Sequence, residues 1–216
     1  MAVLYTGMNF ENETFVKSIQ ESFLSLLNNY LPKDLLQKAE SKQSIKILSI
    51  GCGRFREAKS VFGYFKNKST NIKLYGIEID DELYKLACGD PTLQEHKNSV
   101  FLKKGDATKL ENYKDWVNGG RFDLIIVRHP EITFNTDPFI KIFSLCVNLL
   151  NKKGYLFATT HFENEKEMLK LLLKLCNFNV FVEAKNQLSP SMEINGKIRY
   201  ADKYLLIANN GITLNV

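Results

Sequence analysis

Residues 45–55 read Ile-Lys-Ile-Leu-Ser-Ile-Gly-Cys-Gly-Arg-Phe, and no other segment of the chain says as much about its architecture. The first six are mostly apolar and rich in isoleucine, which is typical of a buried strand. Gly51 and Gly53 follow, and a helical pattern begins near residue 55. Because glycine lacks a Cβ atom, these positions permit a tight turn whose amide N–H groups favour a carboxylate or phosphate at a helix N-terminus. The segment therefore predicts a strand, a ligand-binding turn and a helix.

Similar apolar runs follow this segment and alternate with helical patterns. The predicted strands cover 45–50, 72–79, 99–102, 122–127 and 154–159. The predicted helices cover about 13–29, 55–66, 81–97, 110–118 and 136–150, and a further one runs from Thr160 to about Cys176, with Thr160 and Glu163 at capping-box spacing. Two closing strands, 179–183 and 199–208, are expected to pair. The pattern predicts a doubly wound α/β fold with a mostly parallel sheet, helices on both faces and one antiparallel strand.

Composition sets limits on the domain count and the cellular setting. A chain of 216 residues with 44% apolar residues is expected to form a single domain, 1–216. We expect residues 1–42 to be a helical extension that can cover an active site together with the connection 190–199, through contacts from Tyr5, Phe10, Tyr30 and Met192. The four cysteines lack metal-ligand spacing, so no metal site is expected. With no signal-like or membrane-spanning run, we expect a cytoplasmic protein without membrane contact.

Acidic residues stand where the second and third predicted strands end. Glu78 lies at the carboxyl end of the second strand, where a carboxylate can accept hydrogen bonds from both ribose hydroxyls. Asp106 follows the third strand and can accept a hydrogen bond from an adenine amino group. Because the carboxyl ends of parallel strands share one edge of the sheet, these residues are expected near Gly51 and Gly53.

This ordered set resembles the class I (seven-stranded, Rossmann-like) S-adenosylmethionine-dependent methyltransferases over about residues 45–208. The resemblance implies S-adenosyl-L-methionine as cofactor, with its methionine part along the glycine turn, its ribose on Glu78 and its adenine on Asp106. It also implies a seven-stranded sheet with an antiparallel last strand. The cofactor contacts implied in this way are Ser49, Gly51, Gly53, Glu78, Ile79, Asp106, Ala107 and Arg128.

The segment departs from that family's pattern at two positions. Ser49 stands where an acidic residue often precedes the first glycine, and Phe55 stands where a third glycine is common. The rival fingerprint GxGxxG of dinucleotide-binding proteins would require glycine where Arg56 stands. Methyl transfer is therefore favoured over hydride transfer.

The end of the fourth strand offers the candidate catalytic residues. Methyl transfer from a sulfonium is a displacement, so alignment of the nucleophile and exclusion of water come first and a general base is optional. His129 can take a proton near neutral pH, Arg128 can hold an acidic substrate group, and Glu131 can orient either one or bind a cationic amine. Pro130 between them could equally make this segment a simple turn, with Arg128 and Glu131 in surface ion pairs.

Three functions remain open from the sequence. The first is methyl transfer to an oxygen or nitrogen of a small molecule, which an enclosed, largely apolar pocket would favour. The second is an RNA or protein methyltransferase, which a basic rim would favour, although the net charge of +5 is spread thinly. The third is a noncatalytic protein that kept the fold, which a crevice blocked by the Phe55 ring would favour. The methyl acceptor and the oligomeric state are not readable from the sequence.

Overall fold

The computed structural model describes residues 13–41, 44–66, 71–194 and 197–211. The helices are α1 (Glu13–Tyr30), α2 (Lys33–Glu40), α3 (Glu57–Phe65), α4 (Asp81–Cys88), α5 (Pro91–Glu95), α6 (Lys114–Val117, after a 3-10 turn at Leu110–Tyr113), α7 (Thr136–Leu149) and α8 (Glu163–Leu175). The strands are β1 (Ile45–Ile50), β2 (Ile72–Glu78), β3 (Val100–Lys104), β4 (Phe122–Arg128), β5 (Leu150–Thr160), β6 (Phe178–Lys185), β7 (Ser191–Ile194), β8 (Lys197–Tyr200) and β9 (Tyr204–Asn210).

Seven of the strands form one sheet in the order β3-β2-β1-β4-β5-β9-β6. The first five pair in parallel, and β9 runs antiparallel to both β5 and β6. The predicted fold class is confirmed, including the antiparallel last strand and the pairing of the two closing strands. The order reverses at β1, so the carboxyl ends of β1 and β4 form the crevice in which ligands of such sheets bind.

Helices cover both faces of this sheet and bury its side chains alternately. Every residue of β1 is buried, with Ile47 in the core beneath α1 and α3 and Leu48 in the core beneath α7 and α8. The two-sided burial explains why apolar residues of β1 lie on both faces of the sheet instead of alternating strictly with polar ones. It also fixes the strand end, and hence the glycine turn, in a rigid frame.

The N-terminal helices are part of this core. Helix α1 packs along α3, and its Phe23 is fully buried with the ring edge against Phe157. Tyr30, one of the predicted lid contacts, packs against the core instead. Tyr5, Phe10 and the side chain of Met192 lie outside the described residues, so the expected cover by 1–42 stays a prediction. Among the described helices, none has the length and apolarity needed to cross a membrane.

Three predicted elements differ from the observed ones for local reasons. The single helix predicted at 81–97 is wrong, because Asp90 caps a new helix that begins at Pro91. The capping box predicted for Thr160 and Glu163 is wrong, because the helix begins at Glu163 after Phe162, and Glu165 instead accepts the N–H groups of His161 and Phe162. The strand predicted at 199–208 is broken between β8 and β9, and the break contains Asp202 at φ 52°. The break between β8 and β9 matters for the site, because it places Asp202 there.

Candidate active site

Two connected cavities open at the carboxyl ends of the parallel strands. The smaller has a volume of about 700 Å³ and includes Gly53, Glu57, His161 and Tyr200 in its lining. The larger, of about 1220 Å³, extends over Asp106 to Ile79. Both are lined by Gly51, Arg128, His129, Pro130, Glu131, Phe134 and Arg199. Six of the eight predicted cofactor residues and all three predicted catalytic residues line this crevice, whereas Ser49 and Glu78 line neither cavity.

The turn after β1 has the conformation that its glycines predict. Gly51 and Gly53 have φ values of 62° and 54°, and the space on their Cβ side is open. Phe55 also has a positive φ, of 57°, but its side chain is 1% exposed and its ring lies against the backbone of Gly76. The ring therefore fills the core beneath α3 and does not block the crevice. Gly76 is the small residue that makes room for it.

The carboxylate of Glu78 stabilises this turn by hydrogen bonding. Its carboxylate accepts hydrogen bonds from the N–H groups of Gly53 (2.7 Å), Ile79 (2.8 Å) and Asp80 (2.9 Å), and the residue is only 6% exposed. Glu78 thus borders the glycine turn without lining either cavity. The neighbouring Ile79 does line the larger cavity and is 66% exposed, which makes it an apolar platform at the end of β2.

Asp106 and Ala107 form the opposite wall of the larger cavity. Oδ1 of Asp106 accepts hydrogen bonds from the backbone N–H (2.8 Å) and the hydroxyl (2.7 Å) of Thr108. These bonds, the backbone one first, lower the pKa of Asp106, so the group is ionised at neutral pH. Both bonds use Oδ1, which leaves Oδ2 as the acceptor that a ligand can use.

Arg128 lies at the centre of a buried charge cluster. Its guanidinium donates to Asp202 through Nε (3.0 Å) and Nη2 (2.6 Å), and Nη1 lies 3.3 Å from Glu57. Burial alone would lower the pKa of Arg128, but Asp202 and Glu57 raise it above its ordinary value. With two carboxylates already bound, Arg128 holds the site together, and the expected role of binding an acidic substrate group finds no support in this geometry.

Ser49 reaches the same cluster from β1. Its hydroxyl donates to Glu57, which is 3% exposed and lines the smaller cavity. The carboxylate that the family often carries at the position of Ser49 is thus provided by the first turn of α3. Sequence analysis missed Glu57, although an acidic residue in the first turn of a helix that follows a glycine turn was a usable signal.

His129 and His161 lie side by side on the wall of the smaller cavity. Their rings stack with centroids 3.8 Å apart. Nε2 of His129 lies 2.9 Å from the backbone nitrogen and 3.1 Å from Oδ1 of Asp202. Nδ1 of His161 lies 2.7 Å from the carbonyl oxygen of Tyr200. Burial, followed by the neighbouring His129, lowers the pKa of His161 to about 3, so this ring is neutral at physiological pH.

Asp202 is the main site residue that the sequence did not reveal. It is fully buried and also accepts a hydrogen bond from the Thr159 hydroxyl (2.6 Å). Burial would raise the pKa of Asp202, but Arg128 and His129 hold it below its ordinary range. Glu131, the remaining predicted catalytic residue, is exposed where the two cavities meet. Within the described ranges, no cluster of side chains has the makeup of a metal site.

The sequence matches no protein-family model and no curated protein. The structure is similar to the PH0226 protein of Pyrococcus horikoshii, with a TM-score of 0.64, 18% identity and 92% of each chain covered. It is similar to an S-adenosylmethionine-dependent methyltransferase of Clostridium acetobutylicum, with a TM-score of 0.58 and 12% identity over 91% of this chain and 92% of that one.

A third similar structure is the magnesium protoporphyrin IX methyltransferase of Synechocystis, solved with bound S-adenosylmethionine. The TM-score is 0.56 at 15% identity, over 94% of this chain and 85% of the other. The strand order, the antiparallel β9 and these similarities agree with one another. The chain therefore has the fold of the class I S-adenosylmethionine-dependent methyltransferases.

Proposed function

We propose that the protein is an S-adenosylmethionine-dependent methyltransferase acting on a small molecule. The observation that carries the proposal is the pair of cavities that meet over the turn at Gly51 and Gly53. One cavity has the residues for an adenosine group, and the other adjoins it where a methyl group would be transferred. S-adenosyl-L-methionine, when bound, supplies the methyl group on a positively charged sulfur.

The larger cavity suits adenosine in size and chemistry. Its volume of about 1220 Å³ is ample for a nucleoside. Oδ2 of Asp106 can accept a hydrogen bond from the adenine amino group, and Ile79 and Ala107 offer apolar contact to the ring. We assign Glu78 two roles: it holds the glycine turn by its hydrogen bonds, and it contacts the ribose at the edge of that turn. The open space above Gly51 leaves room for the rest of the cofactor.

The smaller cavity suits the methyl acceptor. Glu57 adds negative charge beside the glycine turn, where the cationic amino group of the methionine part would lie. Arg128 positions Glu57 and Asp202 rather than touching substrate. Glu131, at the junction of the cavities, is a candidate for orienting the acceptor, and the role of His129 is considered below.

The surroundings of the crevice favour a small molecule over RNA. Charged residues of both signs line the two cavities in equal number: Arg56, Glu57, Asp106, Lys109, Arg128, Glu131, Asp137, Lys141, Glu165 and Arg199. A surface that tracks a phosphate backbone would carry a predominance of basic residues. The buried position of Phe55 removes the main argument for a noncatalytic protein.

The first test is calorimetric titration with S-adenosylmethionine and S-adenosylhomocysteine. Asp106→Asn and Glu78→Gln are each expected to weaken binding by about 1.5–3 kcal/mol, roughly ten- to hundred-fold, because each removes a charged hydrogen-bond acceptor. Glu82→Gln, on the exposed face of α4, is the matched control and should bind as wild type does. Folded wild-type protein that binds neither compound would refute the proposal.

A further inference from the structure

The two stacked imidazoles each have one nitrogen held by the protein and one left over. Nδ1–H of His161 donates to the Tyr200 carbonyl, and Nε2 of His129 is held by Asp202. In the described part of the chain, Nε2 of His161 and Nδ1 of His129 have no protein partner, and neither is a buried unsatisfied atom. These two nitrogens are therefore available to whatever fills the smaller cavity.

The surroundings of the two imidazoles give them different hydrogen-bonding capacities. His161 is neutral, with its proton fixed on Nδ1, so Nε2 can only accept a hydrogen bond. His129 faces Asp202, which offers Nε2 two partners of opposite kind. The Asp202 N–H (2.9 Å) suits an unprotonated Nε2, whereas Oδ1 (3.1 Å) suits a protonated one. Nε2 of His129 thus has a partner in either protonation state.

Both residues of the His129–Asp202 contact have an unusual backbone conformation. His129 and Asp202 have φ values of 50° and 52°, a conformation that side chains other than glycine rarely adopt. With Phe55 they are three of the four described non-glycine residues with positive φ, and all three border the crevice or its turn. Such strain persists where surrounding contacts impose it, and it concentrates at functional sites. The pair is therefore a positioned unit rather than a chance contact.

Part of the wall of the smaller cavity is apolar and aromatic. Phe134 is 88% exposed in the lining, and Phe162, Tyr200 and Ile19 complete the wall around the imidazoles. An exposed phenylalanine at the junction of two cavities offers a face on which a flat ring can stack. The polar side chains that also line this cavity can fix the orientation of a ring held on the apolar surface.

On the basis of the proposed function, we infer that the methyl acceptor is an aromatic compound with a phenol-type hydroxyl, and that His129, positioned by Asp202, accepts the hydroxyl proton. Imidazoles titrate near neutral pH and phenols a few units higher, a gap that a general base can bridge. A carboxylate, which is already ionised at neutral pH, would need no such base. Arg128, Asp202, His161, Glu131 and Arg199 are the charged or titratable groups around His129.

The step balances in atoms and charge. With the ring proton on Nε2, that N–H donates to Oδ1 of Asp202 and Nδ1 carries a lone pair. The phenol proton moves to Nδ1, and the phenol oxygen forms its bond to the methyl carbon. The carbon–sulfur bond breaks with its electron pair going to sulfur, so the positive charge of the sulfonium ends on the imidazolium of His129. Oδ1 of Asp202 stabilises that imidazolium.

The test compares 4-nitrophenol with its methyl ether, 4-nitroanisole, on protein saturated with S-adenosylhomocysteine. Wild type is expected to bind the phenol at least ten-fold more tightly by calorimetry. His129→Asn, which tolerates the left-handed backbone, should reduce that ratio to within about two-fold. His96→Asn is the matched control, because His96 stacks on Phe62 outside the cavities and should leave the ratio unchanged.

Nuclear magnetic resonance of the ring nitrogens gives a readout that a purely structural role would not move. The chain has three histidines, so each can be assigned by substitution. In wild type, 4-nitrophenol should convert His129 from the neutral ring protonated on Nε2 to the doubly protonated form, and Asp202→Asn should suppress this change. Equal affinity for phenol and ether, no binding of the phenol, or a His129 that stays neutral would overturn the inference. Absence of S-adenosylhomocysteine binding would instead overturn the proposed function.

Discussion

Replacing Asp202 by asparagine tests how much the buried cluster stabilises the fold. The side chain of Asp202 is fully buried, and that of Arg128 is 13% exposed. Asparagine keeps an acceptor for the Thr159 hydroxyl but removes the negative charge that Arg128 faces at 2.6 and 3.0 Å. Breaking a buried ion pair costs about 3–5 kcal/mol. Because Glu57 remains 3.3 Å from Arg128, we expect the lower end, about 3 kcal/mol.

This cost should depend on pH with a definite sign. The pKa of Asp202 is depressed in the folded protein, so its contribution is complete above the pKa of an unfolded aspartate, about 4. It is lost progressively as the pH falls below that value toward the folded pKa. Asp202→Asn lacks the contribution at every pH. The difference in unfolding free energy between wild type and variant should therefore shrink as the pH falls below about 4.

Urea unfolding followed by circular dichroism at a series of pH values measures both quantities. Asp81→Asn is the comparison, because Asp81 pairs with Lys85 and Lys104 at the surface and should change stability far less. A variant as stable as wild type at pH 7 would refute the view that Asp202 secures the site. A difference that grows in acid would refute the assigned direction of its pKa.

Two further measurements test the packing beneath the glycine turn. Gly76→Ala places a methyl group 2.8 Å from the Phe55 ring and should lower the unfolding free energy by about 1–3 kcal/mol. Gly63→Ala is the control, because Gly63 lies in open space on α3 and its replacement should not lower the unfolding free energy. Equal stability of the two variants would contradict the close contact. Iodoacetamide should label half-buried Cys88 before Cys52, because burial raises the pKa of the Cys52 thiol. Peptide mass spectrometry measures the order of labelling, and the reverse order would contradict the burial of Cys52.

The cofactor side of the crevice was predictable from the sequence because its contacts are local to strand ends. An apolar run predicts a buried strand, and the glycine or acidic residue that follows the run indicates where the strand ends. The predicted strand 45–50 matches β1, and Gly51 and Asp106 lie in the crevice. Glu78 ends β2 as predicted, its contact with the ribose stays a prediction, and its three bonds to backbone N–H groups depend on how the turn folds back over it.

The acceptor side could not be predicted in the same way. Asp202 meets Arg128 and His129 across more than 70 residues of chain. The apolar residues on either side of Ala201-Asp-Lys203 resembled one continuous strand, since nothing in the pattern revealed a left-handed residue at 202. A charged residue inside an apolar strand was the available signal, and it pointed to a break rather than to a partner.

The two departures from the family pattern are better understood as one rearrangement than as two losses. Phe55 turns into the core with a left-handed backbone, and the chain then enters α3 with Glu57 directed at β1. An aspartate in place of Ser49 would set a second carboxylate against a buried one, which is costly unless one of them takes up a proton. A serine hydroxyl instead donates to Glu57. The negative charge has thus moved from the strand to the helix while remaining beside the glycine turn, and Arg128 ties it to the acceptor side through Asp202.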